Sequence, residues 1–175
     1  ISKSRTATLQ STIPASFAQI YTDSIDGAMN LEFIRPENQA LKKASPNGQY
    51  GYNLAMTTAT NSNFIYAWNI SRCVDGPCSL FVTEIEYTLL DQYGNTVRAV
   101  SKLVDHSDTT LSIRDFSPSL AIAPNGSIGV AWYRRLYNTS TLQYNHNIYF
   151  ATLDSVGNLT SGPTNITNNA AWGSF

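Results

Sequence analysis

From residue 117 to 167, apolar and polar positions alternate in short runs separated by turn residues, the pattern of strands with one buried face. Ser119-Leu-Ala-Ile-Ala reads as a first strand, which Pro124-Asn-Gly-Ser turns into a second, Ile128-Gly-Val-Ala-Trp-Tyr. The polar stretch from Arg134 to His146 is expected to be a long loop. Asn147-Ile-Tyr-Phe-Ala-Thr-Leu, the turn Asp154-Ser-Val-Gly-Asn and a last polar strand ending at Thr167 complete a four-stranded antiparallel meander. No long stretch of the chain carries the period of about 3.6 residues that marks a helix. The expected class is all-β.

The unit occurs twice. Leu89-Leu-Asp-Gln-Tyr-Gly-Asn-Thr returns as Thr152-Leu-Asp-Ser-Val-Gly-Asn-Leu, with Asp91, Gly94 and Asn95 each 63 residues before Asp154, Gly157 and Asn158. Phe64-Ile-Tyr-Ala-Trp matches Ile128-Gly-Val-Ala-Trp, so that Trp68 stands 64 residues before Trp132. Asn53-Leu-Ala-Met aligns with Ser119-Leu-Ala-Ile in the same order. A repeat of this length holding four short strands is the sequence form of a propeller blade.

These residues resemble a family. A small-residue strand, an Asn-Gly turn, a strand ending Ala-Trp, then Ile-Tyr and Leu-Asp-x-x-Gly-Asn is similar to the blades of secreted bacterial β-propellers of the sialidase-like kind, over residues 50–167. Asn125-Gly126 and Trp132 resemble the Asp-box of sialidases, although Asn125 stands where the Asp is expected and the Gly-to-Trp spacing is longer. The arginine triad, Tyr/Glu nucleophile pair and Asp acid of a sialidase map onto no residues here. What the resemblance implies is consecutive four-stranded antiparallel blades, and not an enzyme.

Divided on this basis, the chain has N-terminal strands or a partial blade at 1–48, blades at 49–113 and 114–167, and the start of a further strand at 168–175. In the first part, Arg5-Thr-Ala-Thr-Leu, Ser16-Phe-Ala-Gln-Ile-Tyr and Met29-Asn-Leu-Glu-Phe-Ile alternate well enough to be strands. Closed propellers have about 4–8 blades, so a fragment of a larger ring is expected. Trp172 and Phe175 are then expected to lie against another polypeptide.

Composition narrows the partners. Charged residues make up 13% of the chain and the net charge is −1, which gives no basic field for nucleic acid or an anionic membrane. No apolar run approaches the roughly 18 residues that cross a bilayer. Cys73 and Cys78 enclose Val-Asp-Gly-Pro, a turn sequence, and a disulfide pinning that tip is expected, with an extracellular or cell-surface location following from it. Asn-x-Ser/Thr sequons begin at Asn69, Asn125, Asn138, Asn158 and Asn165, and Asn138 and Asn69 are the candidate glycosylation positions.

Candidate chemistry gathers in the expected long loops, 69–79, 104–118 and 134–146, on one face of the blades. They carry Arg72, Arg134 and Arg135, His106 and His146, Asp75, Asp105, Asp108 and Asp115, and Tyr133, Tyr137 and Tyr144. A guanidinium forks onto carboxylate or hydroxyl oxygens while a Tyr ring stacks on a sugar. Arg72, Arg134, Arg135, Tyr137, Tyr144, His146 and His106 are therefore the candidate ligand-binding set, against the alternative that Arg72 and Arg134 pair with nearby Asp. Asp105-His-Ser-Asp lacks the Gly-spaced acidic ladder of a calcium loop, so no cofactor is expected and calcium there is the one weak candidate. Glu84 and Glu86 are expected on one outward strand face, and no catalytic residue is identified.

Two functions of different class remain. The favoured one is a non-catalytic extracellular propeller module, structural or binding, that contacts protein or glycan through its long-loop face. The alternative is part of a secreted glycoside hydrolase or lyase whose acid and base lie mostly outside this chain.

Overall fold

In a computed structural model the described residues form twelve strands and no helix. The structure describes residues 5–8, 17–22, 29–34, 39–43, 51–73, 81–92, 95–106, 112–138, 140–171 and 173. Strands β1 (Arg5–Thr8), β2 (Phe17–Thr22), β3 (Met29–Ile34) and β4 (Gln39–Lys43) make one sheet in the order 1-2-3-4, and for these the description is of the backbone. Three of the four follow the alternation read above. The fourth, Gln39–Lys43, has too few apolar positions to announce itself and is held by its ladder to β3.

The remaining strands form one eight-stranded sheet that is not closed: β5 (Gly51–Thr58), β6 (Phe64–Cys73), β7 (Phe81–Leu90), β8 (Thr96–Lys102), β9 (Ser112–Ile122), β10 (Ile128–Asn138), β11 (Gln143–Leu153) and β12 (Leu159–Asn165). It consists of two antiparallel meanders, β5–β8 and β9–β12, joined by one parallel bridge between Thr83 and Arg114. Each meander closes on the same turn. Asp91 accepts the Asn95 backbone and side-chain N–H groups at 2.8 Å each, and Asp154 accepts the same two groups of Asn158 at 2.8 Å each. The repeated Asp and Asn are thus a reciprocal cap that satisfies backbone donors in a tight turn. Gly157 takes φ +86, a conformation a side chain would strain, and a Cβ there would sit 2.9 Å from Leu89.

Two apolar clusters follow from strand alternation. The even positions of β6, Phe64, Tyr66, Trp68 and Ile70, are buried with Leu90, and the partly buried Leu54 and Met56 pack against them. The odd positions of β6 and β7, namely Ile65, Ala67, Ile85, Tyr87 and Leu89, pack with Ile128, Val130 and Trp132 of β10 and with Ala151 and Leu153 of β11. Removing each such side chain from water is worth about 1.5–3 kcal/mol, so this second cluster is what binds the two meanders together. Tyr87 adds a hydrogen bond from its hydroxyl to the Gly157 carbonyl at 2.8 Å, and Arg98 donates to Asn158 Oδ1 at 2.6 Å. Trp68 and Trp132 each stand on the second strand of their meander, Trp68 in the first of these clusters and Trp132 in the second.

The expected long loops are shorter than the sequence indicated. Residues 134–138 continue β10 and 143–146 begin β11, paired one to one from Tyr133↔Ile148 to Asn138↔Gln143. Likewise β9 starts at Ser112, within the expected crossover, and β6 runs on to Cys73. Polar and aromatic residues were read as loop there, but an antiparallel hairpin satisfies their backbone whatever the side chains. Glu84 and Glu86 are a second correction: neither faces solvent, at 0% and 6% exposure. At the end of the chain Gly173 bridges to Tyr144, and the Asn145 side-chain amide donates to the Asn169 and Ala171 carbonyls at 2.8 Å each. Trp172 and Phe175 lie outside the described residues.

Candidate functional site

Register decides which candidate residues meet. On β10 the even positions face the core between the meanders and the odd positions face away from it. Arg134 is even, and its neighbour Asp115 on β9 is fully buried. The guanidinium forks onto Asp115 at 2.7 and 2.8 Å, while His106 Nε2 donates to the same carboxylate at 2.8 Å. Burial works against the charged Arg134, but the Asp115 contact outweighs it and raises the Arg134 pKa. Arg134 also lies 4.1 Å over the Tyr149 ring.

A second carboxylate anchors the other meander. Arg72 donates to both oxygens of Glu84 at 3.0 and 2.8 Å, and Lys102 stands 3.1 Å from it. The His106 backbone N–H donates to Glu84 at 3.1 Å and its carbonyl accepts from Arg72 at 3.3 Å. Burial alone would raise the Glu84 carboxyl, but the Arg72 fork, the His106 N–H and Lys102 overcome it and hold the pKa down at about 2. His106 therefore ties the two centres together, backbone to Glu84 and ring to Asp115. Glu86, two residues on, is the opposite case. Burial raises its pKa, Lys102 offsets only part of that, and its Oε2 has no hydrogen-bond partner among the described residues.

Of the candidate ligand-binding set, Arg72, Arg134 and His106 are thus held in ion pairs and hydrogen bonds of the fold itself. Arg135, Tyr137, Tyr144 and His146 come together on the opposite face of the β9–β11 ladder. Arg135 lies 5.5 Å from the Phe116 ring centre and 5.2 Å from that of Tyr144. Tyr137 and Tyr144 stack at 4.6 Å, and the Tyr133 hydroxyl is hydrogen-bonded to His146 Nδ1. All of these side chains are half-buried. Sequence reasoning missed Phe116 and Arg114, which share this face; alternation within Ser112-Ile-Arg-Asp-Phe carries the signal once the segment is known to be a strand.

The other expected positions fall as follows. Asn138 closes β10, its side chain accepting from the Ser140 and Thr141 N–H groups at the hairpin tip. Asn69 is fully buried in mid-strand, where a glycan has no room. Cys73 ends β6 and Cys78 lies outside the described residues, as do Asp75 and Asp108. Asp105 is held by Lys102 at 3.2 Å, and among the described residues no group of three His, Cys, Asp or Glu side chains is arranged to hold a metal ion. No helix among the described residues is long and apolar enough to cross a membrane.

No protein-family model matches the chain, and no curated protein matches it. Among solved structures, the fold is similar to that of endo-arabinase from Bacteroides thetaiotaomicron VPI-5482, with a TM-score of 0.50 and 13% sequence identity. The likeness covers 91% of this chain and 60% of the other, so the chain spans little more than half the length of that enzyme. At this identity the likeness is one of fold: both are β proteins.

Proposed function

We propose that the two meanders β5–β8 and β9–β12, with the β1–β4 sheet before them, are blades of a β-propeller, part of a larger ring, and that the chain serves as a non-catalytic, extracellular or cell-surface module that contacts glycans. The repeat at 63–64 residues and its shared Asp-to-Asn turn cap support the blades. The observation that carries the binding reading is the division of polar side chains between two faces. Asp115 and Glu84 are taken up by Arg134, His106, Arg72 and Lys102, so neither of these two carboxylates is displayed for hydrolysis. Meanwhile Tyr133, Tyr137, Tyr144 and Phe116 collect on the side away from the core, and aromatic faces beside polar donors are how a protein holds a sugar ring. Titration of oligosaccharides into the chain, followed by calorimetry, tests this. Binding that falls about tenfold or more in Tyr137→Ala and Tyr144→Ala is expected; absence of binding across neutral and acidic oligosaccharides would overturn it.

A second reading has its own observation. Likeness in fold to a glycoside hydrolase, and the presence of Glu86 as a buried carboxyl with a raised pKa, favour part of a glycoside hydrolase. Release of reducing ends from an arabinose polymer, abolished in Glu86→Gln, would establish it in place of the first.

A further inference from the structure

The ladder places Arg114, Arg135 and His146 in one row across β9, β10 and β11, since Arg135 is the cross-strand partner of both others. The row above is Phe116, Tyr133 and Ile148, and the row below is Ser112, Tyr137 and Tyr144. Two arginines directly opposite each other on an antiparallel pair repel. Elsewhere in the chain the guanidiniums of Arg72 and Arg134 meet carboxylates at 2.8 and 2.7 Å. Among the described residues, no acid meets Arg114 or Arg135. Asp115 lies between them in sequence, but alternation puts it on the other face, where Arg134 and His106 hold it. Arg135 is instead supported by two rings, and its Nε is buried with no hydrogen-bond partner. The Arg114 and Arg135 side chains are both half-buried, so neither is closed off from solvent.

A sheet bears a like-charged pair and an unfilled buried donor at a cost, and an incoming anion removes both costs at once. We propose that this row is a site for the carboxylate of an acidic saccharide, Arg114 and Arg135 taking the carboxylate and the stacked Tyr137–Tyr144 pair taking the apolar face of the sugar ring. Tyr133, bonded to His146 Nδ1, fixes the imidazole in the row. The aromatic rows on both sides distinguish this from a bare phosphate site, and the net charge of −1 gives no broad field of the kind nucleic acid needs. The inference rests on the glycan-binding reading and names the ligand class of that same face.

The test compares, by calorimetry on the whole chain, a hexuronate oligosaccharide with a neutral hexose oligosaccharide of the same length and linkage, and with acetate and inorganic phosphate alone. The expected result is that the acidic sugar binds about tenfold or more tightly than the neutral one, with a preference that shrinks as salt rises. Arg114→Gln and Arg135→Gln should each bring the affinity for the acidic sugar down to that for the neutral one. Because Arg114→Gln relieves repulsion, it should unfold no earlier than the parent, which separates lost recognition from lost fold. Equal affinity for acidic and neutral sugars would overturn the inference and leave the glycan-binding reading standing. Acetate or phosphate binding as tightly as the sugar would overturn the saccharide assignment. No saccharide binding would end both.

Discussion

The hairpins β6–β7 and β10–β11 hold equivalent places in their meanders, and they have been finished differently. Offsets of 63 and 64 residues set Ile65, Ala67, Ile85 and Tyr87 against Gly129, Ala131, Ile148 and Phe150. In the first hairpin these positions are sealed, Tyr87 at 3% exposure, by the strands of the second meander. In the second hairpin they are not: Phe150 is 37% exposed. Further along, the Ser71–Thr83 pair, hydrogen-bonded at 2.9 Å, is replaced by the cross-strand pair Arg135–His146, and Asn69 by Tyr133. Where a repeat keeps its apolar half but exchanges small polar residues for large cationic and aromatic ones, packing does not account for the exchange. Binding does.

The comparison can be broken first at the ion pairs. Asp115→Ala should strand the buried Arg134 and cost about 3–5 kcal/mol in urea unfolding, whereas Arg135→Gln on the opposite face should cost about 1 kcal/mol or less. Ile85→Ala and Ile148→Ala sharpen it at equivalent positions. The first should cost about 2–5 kcal/mol and the second much less, because only the first leaves a cavity in a sealed core.

pH separates Glu84 from Glu86. The Glu84 carboxyl is held at about 2 against its ordinary 4.5, so its ionised form stabilises the fold above the ordinary value, and that stability drains away as pH falls towards 2. The difference is worth about 3 kcal/mol. Denaturation midpoints measured from pH 6 down to about 2 should fall steeply in the parent and far less in Glu84→Gln. For Glu86 the sign reverses: its raised pKa means that charging it on folding is unfavourable, so Glu86→Gln should raise the melting temperature slightly at neutral pH and lose that advantage in acid.

How much of this was legible in the sequence depends on the physical signal each element leaves. The turns announced themselves, because Asp and Asn must stand at a fixed spacing to cap one another and Gly must follow where φ is positive. The strands with an apolar face did so too, through alternation. The extensions of β9, β10 and β11 did not, because Arg, Asn and His interrupt the apolar alternation and the ladder keeps them extended. The candidate face was therefore found as a set of residues but misplaced as a loop. Arg72 and Arg134 were placed in the same set as Arg135, since only register, absent from the sequence, tells which side of a sheet an arginine occupies. The burial of Glu84 and Glu86 was hidden for the same reason: both share a face with Ile70 and Trp68, their cross-strand neighbours on β6.

Hydroxyl-radical footprinting read by mass spectrometry tests the difference between the two hairpins most directly, since it reports side-chain access residue by residue. Phe150, Tyr137 and Tyr144 should be labelled readily, while Tyr87, Tyr66, Trp68 and Trp132, all buried, should stay protected until the chain unfolds. Protection of Phe150 equal to that of its counterpart Tyr87, or labelling of Trp132 as fast as Tyr144, would contradict the account of one sealed and one open face.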